Sequence, residues 1–216
     1  MLTTHSETNA LVNLFHKGTR LRYAKGEYII RPGGTPPGVF FISEGLVKAF
    51  DITKYGEENL LIIRKPGELL CLTWAITGEE RDIIYAALAP TTLLQISRED
   101  FLKEIHENKN IALPLVDMLA DLYREHSKRI LTLEYRTVRE RLVAFLLNAA
   151  ERFGEKTHQG TLINAPLRHQ DIASSISATR ETTGRELSTL ERMGLLESKQ
   201  SIILLKNLPK LQNYLE

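Results

Sequence analysis

One cysteine, Cys71, is all that this chain of 216 residues contains. A lone thiol closes no internal disulfide, and it builds neither a four-cysteine metal site nor an iron–sulfur cluster. Long apolar runs are missing as well. No stretch reaches the roughly 18 apolar residues that suggest a membrane span, and no basic, apolar, small-residue leader opens the chain. The expectation is a cytoplasmic protein with no membrane segment. Excess charge of either sign is also absent, since 28 Lys and Arg against 27 Asp and Glu leave +1. That balance excludes a generally basic protein that coats DNA but leaves room for a local positive patch. Arg168, His169, Arg180, Arg185, Arg192 and Lys199 are the residues available for one. No nucleophile–base cluster, zinc signature or phosphate-binding fingerprint stands out, so an enzyme is not expected. The 43% of hydrophobic residues is ordinary for a globular protein of one large or two modest domains.

The most informative stretch is Thr179 to Arg192, TRETTGRELSTLER. Thr183, Leu187 and Leu190 fall on one helical face, and Arg180, Glu181, Arg185 and Ser188 on the other. Thr179 can cap this helix, Glu181 sits in its first turn, and Met193-Gly194 ends it. A shorter helix, His169 to Ile176, precedes it with Ile172, Ala173 and Ile176 inward. Only Ser177 and Ala178 lie between, which leaves room for a tight turn. Two short helices so joined make a helix-turn-helix candidate, whose second helix enters the DNA major groove. Arginine reads guanine O6 and N7, and glutamate accepts from cytosine N4, so Arg180, Glu181 and Arg185 are the base-reading candidates. The plainer alternative is an i,i+4 ion pair between Glu181 and Arg185 on a solvated helix.

His169 to Leu196, with Thr179-Arg180-Glu181-Thr182 and Gly184-Arg185 at its centre, resembles the DNA-binding segment of the Crp/Fnr family of regulators. The layout of the rest of the chain is similar to that family too. The resemblance implies base reading by Arg180, Glu181 and Arg185 and a phosphate contact by Thr182. Arg168, His169, Thr179, Ser188 and Lys199 are further phosphate-contact candidates. Where the family usually caps the first helix with Thr or Ser, this chain has Arg168, which cannot cap but is able to approach a phosphate. Thr183 replaces a usual apolar residue and should loosen the packing slightly.

Residues 1–9 are polar and expected to fray, with a short helix over Leu11 to Phe15. From Leu21 to about Ile96, short β-branched or aromatic runs alternate with glycine-rich turns. The expected strands are Tyr28 to Ile30, Val39 to Ile42, Leu46 to Phe50, Leu60 to Ile63 and Ile83 to Leu88. This pattern predicts a sandwich or jelly roll. The resemblance implies an eight-stranded roll enclosing an effector site. Pro66 to Trp74 stands in place of the family's ligand-binding loop. Where cyclic-nucleotide binders carry a Gly-Glu pair for the ribose, Cys71-Leu72 stands here. Their Arg-Ser pair for the phosphate becomes Arg81-Asp82, and an aspartate would repel that phosphate. Both departures argue against cyclic AMP. Gly67 to Leu72 is also similar to the heme-thiolate segment of a carbon-monoxide sensor in the family, but that sensor's following histidine is Thr73 here. Cys71 therefore reads as a small core residue, with heme or redox ligation as the alternative. Trp74, Ile76, Ile84 and Tyr85 are either roll core or the wall of a small-molecule pocket, with Arg81 as an anion anchor.

Ser97 begins a short helix with a capping-box-like sequence. Pro114 is expected near the first turn of a long helix reaching about Leu133. Ala112, Val116, Leu119, Tyr123, His126, Ile130 and Leu133 form a heptad stripe, interrupted by the polar His126. A second stripe, Ile111, Leu115, Met118 and Leu122, widens the apolar face. One face suits the roll and the other a partner helix; burial against its own domain alone is the alternative. The family uses this helix as a parallel dimer seam. A charged helix over Arg136 to Arg152, a polar loop over Lys156 to Gly160 and a strand over Thr161 to Asn164 follow. A winged hairpin comes next, with Glu197 to Ser201 at its turn and Lys199 at its tip, and a last short helix spans Leu208 to Glu216. In the family the 156–160 region touches RNA polymerase.

The expected fold is α+β: a roll domain over residues 1–109, a dimerisation helix over 110–135, and a winged helix-turn-helix domain over 136–216. The expected function is sequence-specific regulation of transcription by a homodimer on a near-palindromic duplex, without cyclic AMP. The alternatives are a metabolite-binding module or a heme-based gas or redox sensor.

Overall fold

The computed structural model describes residues 5–80, 82–199 and 201–215, with side chains from residue 10 onward. Its elements run α1 (His5–His16), β1 (Thr19–Tyr23), β2 (Tyr28–Ile30), β3 (Val39–Glu44), β4 (Val47–Ile52), β5 (Glu58–Arg64), β6 (Leu69–Leu70), α2 (Leu72–Thr77), β7 (Ile84–Ala87) and β8 (Thr91–Ile96). There follow α3 (Arg98–Glu107), α4 (Lys109–Tyr135), α5 (Val138–Phe153), β9 (Gly154–Thr157), β10 (Gly160–Ile163), α6 (His169–Ser175), α7 (Arg180–Arg192), β11 (Leu196–Lys199), β12 (Ile202–Leu205) and α8 (Leu208–Gln212). Two compact units result, Met1–Ile52 with Leu61–His126, and Thr53–Leu60 with Ser127–Glu216.

In the first unit, β1-β8-β3-β6 and β2-β7-β4-β5 form two four-stranded sheets. Strand alternation explains how one sheet serves two cores. Phe40 and Ile42 of β3 and Leu93 of β8 face the interior of the sandwich, with Val47, Leu70 and Cys71. Val39 and Phe41, with Leu94 and Ile96, face the other way and meet Leu11, Phe15, Phe101, Ile111 and Leu115 from the helices. Phe15 stacks on Phe41 with ring centroids 5.6 Å apart. Gly45 is required at the β3–β4 turn: its φ is +90°, and a Cβ there would lie 2.3 Å from the Pro90 carbonyl oxygen.

Residues 5–9, expected to fray, belong to α1. Leu72–Thr77, read as part of a loop, is a helix that Cys71 opens in the left-handed region, with φ 63°. Its polar-apolar pattern is too short to register as periodic; it forms because Leu72 and Ala75 bury against the helical core. The long helix begins at Lys109, so Pro114 lies inside it rather than near its start. Proline has no N–H to donate to the carbonyl of Asn110, an exposed residue of the first turn. Lys156 and Thr157 lie in a strand, because the 154–163 segment folds back as a hairpin with Thr157 opposite Gly160.

The second unit builds α5, α6 and α7 against the sheet β11-β12-β10-β9. Thr137 caps α5 through a reciprocal box with Glu140: the Thr137 backbone N–H donates to the carboxylate at 2.7 Å, and the Glu140 N–H donates back at 3.4 Å. Leu142, Leu146, Ile172, Leu187, Leu190, Ile203 and Leu205 close its core.

Candidate nucleic-acid interface

α6 and α7 are joined by Ile176, Ser177, Ala178 and Thr179. Ser177 takes the left-handed conformation, φ 50°, and the Ala178 N–H donates to the Ala173 carbonyl at 3.0 Å. Thr179 then caps α7, its hydroxyl oxygen accepting from the Thr182 N–H at 3.1 Å. The Thr179 and Thr182 hydroxyls lie 3.0 Å apart. If Thr179 donates in that contact, the Thr182 proton stays available to an outside acceptor. Thr183, Leu187 and Leu190 are buried and pull the opposite face outward. Arg180, Glu181, Arg185 and Ser188 are exposed on it. Neither Arg180, Glu181 nor Arg185 has an ion-pair partner among the described residues, so the alternative Glu181–Arg185 pair does not form. Gly184 lies between them, and among the described residues a Cβ there would meet only the His169 Nδ1, at 3.7 Å.

The flanking cations behave differently. Arg168 precedes α6, and its guanidinium is held by Asp171, with Nε to Oδ2 at 3.1 Å and Nη2 to Oδ1 at 3.2 Å. The Arg168 backbone N–H donates to the same carboxylate at 3.0 Å. This is half of a capping box: the carboxylate satisfies the helix entrance, and the guanidinium, which has no acceptor, cannot supply the other half. Asp171 is 2% exposed while the Arg168 side chain is 61% exposed, so the guanidinium is anchored from within and open on its outer side. On the wing, Lys199 Nζ lies 2.7 Å from Glu197 Oε1, and Lys206 Nζ lies 3.0 Å from Oε2. Both lysines hold the Glu197 carboxyl down at about 2. The Glu191 carboxylate accepts from the Ser198 N–H at 3.1 Å and ties the wing to the end of α7. Behind α7, Arg139 Nε and Glu186 Oε2 pair at 2.6 Å and bind it to α5.

Sequence reasoning does not single out Asp171, Glu191, Glu197 or Lys206 as functional. The i,i+3 spacing of Arg168 and Asp171 and the same-face spacing of Glu197 and Lys199 are readable signals. The Glu191 and Lys206 contacts cross between elements and are not.

The residues of the effector segment separate in space. Leu72 packs into the helical core, and Cys71 into the sandwich interior. Burial pushes the Cys71 thiol up to about 12. Trp74 touches both cores, with the Arg98 guanidinium 5.8 Å from its ring centroid. Thr73 is half-buried, Tyr85 borders the interior, and Asp82 is exposed. Arg81 lies outside the described residues. No group of three or more metal-ligating side chains occurs among the described residues.

On α4, Ile111 and Leu115 are buried and Met118 packs beside them, so the second apolar stripe faces its own domain. The first stripe does not. Val116, Leu119, Tyr123 and Ile130 stay exposed, Tyr123 at 76% and Ile130 at 61%. His126 and Leu133 are intermediate. No described helix is long and apolar enough to cross a membrane.

Residues 20–108 match the model of the cyclic nucleotide-binding domain, and residues 140–214 match that of the Crp-like helix-turn-helix domain. The chain belongs to the Crp/Fnr family of transcription regulators. It is 28% identical over 187 residues to the global nitrogen regulator of Synechocystis sp., covering 86% of this chain and 83% of that protein. It is also 28% identical to the cyclic AMP receptor protein of Thermus thermophilus, over 82% of this chain and 79% of that one. A CooA mutant from Carboxydothermus hydrogenoformans superposes with a TM-score of 0.79 at 27% identity, covering 94% and 90% of the two chains. Membership makes this chain a DNA-binding transcription regulator and not an enzyme. Within the Crp/Fnr layout, the first unit is the β-sandwich domain and the second carries the helix-turn-helix with its small sheet.

Proposed function

We propose that this regulator works as a cytoplasmic homodimer on near-palindromic double-stranded DNA, with Arg180, Glu181 and Arg185 reading base edges. The observation that carries this is the exposed state of those three side chains, without ion-pair partners among the described residues, on one face of a capped helix. Arg168, His169, Thr179, Thr182, Ser188 and Lys199 surround them as phosphate contacts, which fix register without reading sequence. The division of labour runs from a roll domain (1–109) through a dimer helix (110–135) to a DNA-binding domain (136–216), with RNA polymerase as a further partner. A site-selection experiment tests the base readers. Arg185→Ala should remove most of the preference, and Arg180→Ala should relax it at a neighbouring base pair, each good contact being worth about 1–3 kcal/mol of discrimination. Unchanged selected motifs for both variants would reject these roles.

Cyclic AMP is not the effector in this reading. Leu72 has no acceptor for a ribose hydroxyl, and its side chain is committed to the helical core. Asp82 puts negative charge where the phosphate-binding pair of the family stands. An apolar or anionic metabolite beside Trp74 and Tyr85, or ligand-independent activity, takes its place. Titration calorimetry with cyclic AMP and cyclic GMP should give no heat at micromolar concentration. Binding that also tightens the hold on DNA would overturn this.

A further inference from the structure

The wing carries an arrangement that a DNA-backbone clamp does not need. On β11, Glu197 and Lys199 lie on the same face, while Leu196 on the other face is buried. The Lys199 side chain is 80% exposed, yet its ammonium is bound to Glu197 at 2.7 Å; Lys206, beyond β12, binds the second oxygen at 3.0 Å. Two cations and one anion leave this cluster with a net +1, where two lysines alone would offer +2. Glu197 stays ionised throughout the neutral range, because both ammonium groups favour its charged form. The base-reading candidates Arg180 and Arg185, by contrast, carry no such partner among the described residues.

We propose that Glu197 limits the sequence-independent affinity of this protein for DNA, by holding Lys199 and Lys206 in competition with the phosphates. The inference rests on the reading of the wing as a backbone contact. A phosphate that engages Lys199 must share it with a carboxylate, and that carboxylate then faces the phosphate with like charge. The effect is the same for every base sequence, so it sets how strongly all DNA is held without changing which sequence is preferred. A regulator competing with a large excess of non-specific sites gains free protein from such a brake.

The test uses the full chain and two duplexes, the sequence selected by the wild type and a scrambled one, titrated across a range of salt. Glu197→Gln keeps size and shape but removes the charge; Glu197→Thr is a second, strand-compatible variant. Both should bind both duplexes more tightly, by about two- to five-fold per wing, the scale of an exposed ion pair. The slope of log affinity against log salt should steepen by about 0.9 for each additional phosphate that the freed lysines neutralise. Adding Lys199→Gln and Lys206→Gln should erase the tightening. Unchanged or weaker binding with an unchanged slope overturns the proposal, as does a tightening that survives loss of both lysines. Lys199→Gln alone, in the same assay, reports on the wing as a backbone contact and should weaken binding to both duplexes and lower the salt slope, so a failure of that reading is distinguishable from a failure at Glu197.

Discussion

At the scale of single residues, two buried groups carry most of the consequence. Thr183 is 0% exposed, and its hydroxyl oxygen has no hydrogen-bond partner among the described residues. A buried hydroxyl without a partner costs about 1–3 kcal/mol. Thr183→Val should therefore stabilise the protein by about 1 kcal/mol or more in urea unfolding. A loss of stability would show that the oxygen has a role not seen in its surroundings. Cys71 is the second. Its folded value is raised from 9.0 to about 12, so between those limits the unfolded chain has given up a proton that the folded chain keeps. The contribution is fully present below about pH 9 and is lost as pH rises toward 12, at no more than about 1.4 kcal/mol per pH unit. The stability difference between wild type and Cys71→Ala should be level up to about pH 9 and change above it. A difference independent of pH up to about 11 would place the thiol outside the apolar interior.

At the scale of the element, the helix-turn-helix depends on its turn. Ser177 adopts φ 50° where a side chain is disfavoured, a strain of about 1 kcal/mol that glycine relieves. Ser177→Gly should raise the unfolding midpoint without altering the selected DNA sequence, because the residue lies in the turn and not on the proposed reading face of α7. Helix α7 itself shows the opposite choice. Gly184 weakens a helix by about 1 kcal/mol relative to alanine. No described neighbour requires it, since a Cβ would meet only His169 at ordinary contact distance. Gly184→Ala should stabilise the fold and weaken DNA binding, the signature of a close backbone approach to the duplex; equal or tighter binding would remove that reason for glycine.

At the scale of the whole molecule, the proposed homodimer rests on α4. Its first stripe leaves Val116, Leu119, Tyr123 and Ile130 to solvent in one chain, and a second copy of the same helix would cover them. Sedimentation at micromolar concentration should show a species of twice 24.6 kDa, and Tyr123→Glu with Ile130→Glu should return it to the single-chain mass. A wild type that sediments at 24.6 kDa with and without DNA would end the dimer reading. The dimer would present its two α7 helices to half-sites about 34 Å apart or a multiple of it, so loss of the dimer should cost affinity for a full palindrome far more than for one half-site.

Local chemistry is enough to reveal α7, its Thr179 cap, its Gly194 stop and the β-rich first unit, because these follow from periodicity and from a few residues with strong backbone preferences. The same local reading separates the two stripes of α4. The α2 helix lies beyond it, since six residues cannot display a helical period and only the core that receives Leu72 and Ala75 makes them helical. The charge state of the interface lies beyond it as well. Lysine and arginine look alike on a sequence whether free or paired, and a pair such as Lys206 with Glu197 exists only because β11 and β12 fold back on each other and bring the two side chains within 3.0 Å. Which cations are available to DNA is therefore a property of strand pairing and helix packing, whereas the helix that presents Arg180 and Arg185 is a property of the sequence itself.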